Sequence, residues 1–120
     1  MPKKAPKIDD YTFGRIEIEG RTYTNDLIIL PDRIAANWWR EEGHVLQAAD
    51  LDAVLDRATK PETLVVGLGS QSRMRIASDA RGALDAAEIE LIAESTERAC
   101  ESYNALRSQG NVAAALHLTC

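Results

Sequence analysis

A chain of 120 residues with 45% hydrophobic side chains has room for one core, which at this size buries roughly two-thirds of the unfolded surface. Its 14 basic against 19 acidic side chains leave a net charge of −5, which argues against the clustered cationic face of a nucleic-acid binder. No stretch reaches the about 18 apolar residues of a membrane span, so no membrane insertion is expected.

The N-terminus runs into Ile8-Asp9-Asp10 instead of the apolar core of a secretory signal. With two cysteines and no such signal, a reducing cytoplasm is the expected compartment and a Cys100–Cys120 disulfide is not expected. Residues 1–10, with Lys3, Lys4 and Lys7 among prolines, read as a flexible, solvated tail, and 11–120 as a single α/β domain.

From Tyr11 to Leu30 the pattern predicts a β-hairpin. Ile16 and Ile18 share one parity with Glu17 and Glu19 opposite, the period-2 mark of a half-buried strand. Gly14 reads as a bulge and Glu19-Gly20-Arg21 as the tight turn. The return strand runs from Thr22 through Leu27-Ile28-Ile29-Leu30 until Pro31-Asp32 stops it. A short strand through Ala36-Asn37-Trp38-Trp39 follows, then a loop at Glu42-Gly43-His44. Asp50 caps a helix with the stripe Leu51, Val54, Leu55 and Ala58, ended before Pro61.

Thr63 to Ser70, reading T-L-V-V-G-L-G-S, is a buried strand ending in G-x-G, a usual place for a ligand crevice in an α/β protein. Met74–Ala77 alternates as a strand, and Asp79–Ala87 reads as a helix in spite of Gly82. Ile89–Ile92 is the next strand. Ser95 or Thr96 caps a longer helix with Ala99, Cys100, Tyr103 and Leu106 inward and Gly110 closing it. Val112–Leu116 is a last buried strand that leaves His117-Leu118-Thr119-Cys120 at its tip. This alternation predicts right-handed parallel crossovers with the hairpin added to the sheet or laid against it.

The glycine loop Gly67-Leu68-Gly69-Ser70 has two glycines of a dinucleotide fingerprint but Ser72 in place of the third, and a strand follows where the fingerprint needs a helix. No Gly-Lys-Ser/Thr of a Walker loop occurs. A ligand reading therefore reduces to the amides of Gly67, Gly69 and Ser70 holding an anionic group, with His117 or His44 nearby. His117-x-x-Cys120 is the only metal-type pair, short of the four ligands of structural zinc, so neither a metal nor a cofactor is expected.

No G-x-S-x-G elbow is present, Cys100 reads as an inert core thiol, and Cys120 carries its own carboxylate beside the sulfur. Trp38-Trp39-Arg40, with His44, is the candidate partner-binding cluster, because Trp and Arg anchor interfaces. Adjacent tryptophans in a strand would point to opposite faces. Asn104 reads as a solvent-facing or capping amide.

Several segments, taken in order, resemble a small α/β domain family that includes the mitochondrial respiratory complex I assembly factor 3 and an adipogenesis-associated protein. They are Tyr11-Thr12-Phe13-Gly14 with Ile16 and Gly20, Tyr23 with Asp26-Leu27-Ile28, and Trp38 and Arg40 with Gly43-His44. Asp50-Leu51, Val66-Gly67-Leu68-Gly69, Thr96 with Ala99, Tyr103-Asn104 and His117-Leu118-Thr119-Cys120 complete the series, which covers the chain from about residue 8. Leu68 stands where the family often has a small or polar residue, and Ala87-Glu88-Ile89 replaces a glycine. The resemblance implies a three-layer α/β domain with a Rossmann-like sheet core and an added N-terminal antiparallel β-hairpin. It implies no catalytic residues. The expected function is a non-enzymatic binding or assembly-type module with a protein partner; the alternative is a small-molecule site or enzyme at the glycine loop.

Overall fold

The computed structural model describes residues 5–120, so Lys3 and Lys4 of the expected tail lie outside the described residues. Chain order begins with β1 (Ile8–Thr12), β2 (Arg15–Ile18) and β3 (Arg21–Tyr23), which pair antiparallel as one three-stranded sheet. β1 starts inside the segment expected to be a free tail. Three contacts explain why it is held: Tyr103 Oη donates to Pro6 O at 2.6 Å, Arg107 Nε donates to Ala5 O at 2.9 Å, and Asn104 bonds both backbone groups of Ile8. Asn104 thus pins β1 to a helix rather than facing solvent. Gly14 lies in the β1–β2 turn, and the irregular register falls at Ile8/Asp10 instead.

The expected return strand is two strands in two sheets. β3 stops at Tyr23, and β4 (Leu27–Leu30) joins a five-stranded sheet ordered β5-β4-β10-β7-β9, where β5 is Arg33–Ala35, β7 Thr63–Gly67, β9 Glu90–Glu94 and β10 Val112–Leu116. β10, β7 and β9 are parallel, whereas β4 runs antiparallel to β10. β6 (Val45–Leu46) and β8 (Arg75–Ile76) pair with each other outside this sheet, so the Met74–Ala77 strand forms without entering the core sheet.

Residues 36–39 are not a strand: Asn37 adopts φ +56°, and the segment is held by Trp38 N–H on Asp26 O instead of a ladder. The helix expected after Asp50 is a 3-10 turn (Ala48–Leu51) and a single α-turn, α1 (Asp52–Leu55). Gln47 is its N-cap residue, and Asp50 reaches back to accept the Gln47 N–H at 2.8 Å. α2 (Ser78–Ala86) and α3 (Thr96–Leu106) form as the sequence predicts, although α3 is capped by Arg107 rather than closed by Gly110.

The strands explain the layering. β4, β7 and β10 are almost wholly apolar, and alternate residues of a strand face opposite sides, so both faces need cover. Leu27, Ile29, Val65, Ala114 and Leu116 join a core with α3 and the three-stranded sheet. Ile28, Leu30, Leu64, Val66, Ala113 and Ala115 join a second core with α1 and α2. From β7 to β9 the chain moves outward along the sheet and from β9 to β10 it moves back. A common right-handed crossover then requires α2 and α3 on opposite faces, as the two cores have them. The result is three layers. Among the described residues no helix is long and apolar enough to cross a membrane.

Candidate functional site

The C-terminal end of β10 collects the polar residues that the core excludes. Because β4 lies beside β10, Asp26, one residue before β4, faces His117, one residue after β10. His117 Nδ1 lies 2.8 Å from Asp26 Oδ2, and the Leu118 N–H donates to Oδ1 at 2.8 Å. Arg40 Nη2 donates to Asp26 Oδ2 at 2.9 Å and to Gly43 O at 2.9 Å. A carboxylate only accepts, so His117 Nδ1 carries the hydrogen of this bond. The 3.1 Å approach of Arg40 Nη2 to the same Nδ1 is then a contact between two donors that share Oδ2.

Burial alone would raise the Asp26 carboxyl. Hydrogen bonds from His117, the Leu118 amide and Arg40 outweigh it and hold the group below its ordinary value. The ion pair is almost completely desolvated on the arginine side, at 4% side-chain exposure against 17% for Asp26. Two nitrogens of the cluster, Arg40 Nη1 and His117 Nε2, are buried without a partner.

The four residues of the expected partner-binding cluster separate here. Arg40 is buried, with its guanidinium carbon 4.6 Å above the Trp38 ring. Trp38 is half-buried and donates Nε1–H to Asp50 O at 2.8 Å. His44 is exposed and meets His117 edge-on, ring centroids 5.7 Å apart. Only Trp39 is free, at 77% exposure. Trp38 and Arg40 are thus held by the fold, and Trp39 stands open between them in sequence.

Asp26 and Thr96 are the functional-site residues that sequence reasoning missed as such. Thr96 accepts the Gly69 N–H at 2.9 Å and donates to His117 O at 2.6 Å, which locks the glycine loop to the end of β10. Of the amides expected to hold an anion, those of Gly69 and Ser70 are hydrogen-bonded within the chain. The amides of Leu68, Gly69 and Ser70 are engaged by Glu94 O, Thr96 Oγ1 and Thr119 O. A Cβ on Gly69 would stand 2.7 Å from Thr119 O and 2.9 Å from His117 Cδ2, so the loop is filled by its own C-terminal segment. Gly67, Gly69, Ser70 and His117 do meet, but to close the structure.

Beside this cluster a shallow cleft of about 360 Å³ is lined by Asn25, Asp26, Asn37, Trp38, Trp39 and Thr119. The Gly14 N–H donates to Leu118 O at 2.8 Å, so the β1–β2 turn and the Trp39 segment flank the same C-terminal strand extension. That turn carries Phe13, 63% exposed, the other large apolar side chain left open among the described residues. No group of three or more His, Cys, Asp or Glu side chains able to hold a metal ion occurs among the described residues.

A family model described as a protein of unknown function (DUF498/DUF598) matches residues 8–117. Among solved structures, the chain is similar to a Rhodopseudomonas palustris protein at 30% identity, with 98% of this chain and 85% of that one covered and a TM-score of 0.73. A Bartonella henselae protein described as an outer membrane protein shares 27% identity over 99% of this chain and 98% of that one, with a TM-score of 0.83. A Bordetella pertussis protein described as a Mth938-like domain shares the fold at 22% identity, with 94% and 85% covered and a TM-score of 0.67.

Proposed function

This chain belongs to the DUF498/DUF598 family of proteins of unknown function, and on that premise we propose that it is a protein-binding, assembly-type module whose contact face centres on Trp39. One observation carries the reading: an indole 77% exposed is mounted on a neighbour, Trp38, that is fixed by hydrogen bond and by Arg40. Exposed tryptophans on a rigid support are the side chains that anchor interfaces, because little entropy is lost when they are covered. Phe13, 63% exposed on the flanking turn, is the other large apolar side chain left open among the described residues. The resemblance to the respiratory complex I assembly factor supports an assembly role for that face, in a respiratory or another protein complex.

The test is affinity capture with the full chain from a lysate of its source cells, in parallel with Trp39→Ala and Phe13→Ala. A partner held by the parent and released by Trp39→Ala, with unchanged melting temperature, is the expected result. Capture that ignores Trp39→Ala, or no partner at all, overturns it.

A small-ligand site is the second reading, favoured by one observation: Arg40 Nη1 and His117 Nε2 are buried and unpartnered in a single cluster. A thermal shift with phosphate or a small carboxylate, abolished by His117→Gln, would support it. Absence of any shift at millimolar ligand rejects it.

A further inference from the structure

The partner's chemistry is written around Trp39. Glu41 and Glu42, both exposed, follow Trp39 by two and three positions, whereas the Asp26 carboxylate in the cleft that Trp38 and Trp39 line is already engaged by Arg40, His117 and the Leu118 amide. None of the described residues lining the cleft is cationic. The nearest cation in sequence, Arg40, is buried at 4% side-chain exposure, with Nε and Nη2 held by Gly43 O and Asp26 and Nη1 enclosed, so its charge does not lie on the exposed face of Trp39. The exposed indole therefore stands in an acidic setting on a chain of net charge −5.

We infer that the Trp39 face receives a basic segment of the partner protein, with a lysine or arginine side chain laid against the Trp39 indole and its charge directed to Glu41 and Glu42. The inference rests on the protein-binding reading above. Three features favour this occupant. An indole face attracts a cation through its quadrupole, and Trp is the strongest aromatic in this role. The aliphatic stem of lysine or arginine covers an apolar indole while its head stays near carboxylates, which suits an exposed tryptophan followed closely by two exposed glutamates. An acidic segment would meet carboxylates with no free cation to receive it.

The experiment titrates the full chain with a short peptide of alternating lysine and arginine, followed by the backbone amide resonances in every variant and, in the parent, also by the Trp39 indole N–H. A glutamate peptide and an uncharged serine-leucine peptide of equal length serve as controls. The basic peptide should bind and shift the Trp39 signal. Trp39→Ala should weaken it about 5- to 10-fold, as for an interface anchor, and Glu41→Gln with Glu42→Gln about 3-fold, the loss shrinking at high salt as screening grows.

Equal or tighter binding of either control peptide overturns the inference. So does basic-peptide binding that Trp39→Ala leaves unchanged, which is diffuse attraction to a −5 chain. No binding of the basic peptide at millimolar concentration also overturns it. If the partner captured from lysate is still released by Trp39→Ala while the basic peptide fails, the protein-binding reading stands and only the basic segment falls.

Discussion

Asp26 and His117, 91 residues apart in sequence, meet at 2.8 Å because the antiparallel pairing of β4 with β10 sets the start of one strand beside the end of the other. With Arg40 they form a desolvated triad, and such groups resist the removal of one member because the remaining charge is left buried alone. Asp26→Asn should therefore cost about 3 kcal/mol at neutral pH, read by urea unfolding. The sign of its pH dependence follows from the depressed carboxyl: the contribution is fully present above the ordinary value of 3.8 and is lost as pH falls through the lower folded-state value. The gap between parent and Asp26→Asn should be constant from neutral pH down to about 4 and close below that. A gap that stays open in strong acid would show that the ionised carboxylate is not what the substitution removes.

Gly69 offers a second contrast. Its φ of +101° and the 2.7 Å approach of a Cβ to Thr119 O act together, whereas Gly20, at φ +81°, has nothing within 4 Å of the same position. Gly69→Ala should cost on the order of 2–3 kcal/mol and Gly20→Ala about 1 kcal/mol, since the second pays for backbone conformation alone. Equal losses in urea would mean that the C-terminal segment yields to the new methyl.

The sequence makes the core strands legible because Leu27–Leu30, Leu64–Val66 and Val112–Leu116 are apolar at every position, which only a doubly covered sheet allows. It does not reveal that the chain changes sheets between Tyr23 and Leu27. Period-2 alternation reads the same in either sheet, and the switch depends on which strand lies beside β10. The strand expected at Ala36–Trp39 shows tertiary contacts overriding aromatic β-propensity, since Asn37 at φ +56° ends any ladder and Asp26 and Asp50 hold Trp38 in place. Arg40, His44 and His117 stand out in sequence as separate candidates. Asp26, which in sequence is only a turn residue before an apolar run, joins Arg40 to His117, and His44 reaches the group through the His117 ring.

The two thiols should separate cleanly. Burial, reinforced by Glu101 and Glu97, pushes Cys100 up to about 12, while Cys120 is partly exposed; neither is in a disulfide. The thiolate is the reactive form, so native protein at pH 8 should release one equivalent with a thiol-exchange reagent and the second only after unfolding. Two fast equivalents would show that the α3 face opens readily.

Trp38 and Trp39 adjoin in sequence, and their substitutions should behave oppositely. Removing the Trp38 indole takes away a half-buried ring, the donor to Asp50 O and the surface beneath the Arg40 guanidinium, a loss of about 3 kcal/mol for a large buried aromatic. Trp39 is 77% exposed and receives no hydrogen bond from the fold, so Trp39→Ala should fall within about 0.5 kcal/mol of the parent. Urea unfolding of both variants decides the matter. If Trp39→Ala costs as much as Trp38→Ala, the exposed indole is structural, and its effect on any partner would report on stability rather than on contact. If only Trp38→Ala is destabilised, a partner lost on Trp39→Ala has lost a surface anchor, since retaining an exposed indole without a stability return is explained by what it touches outside the chain.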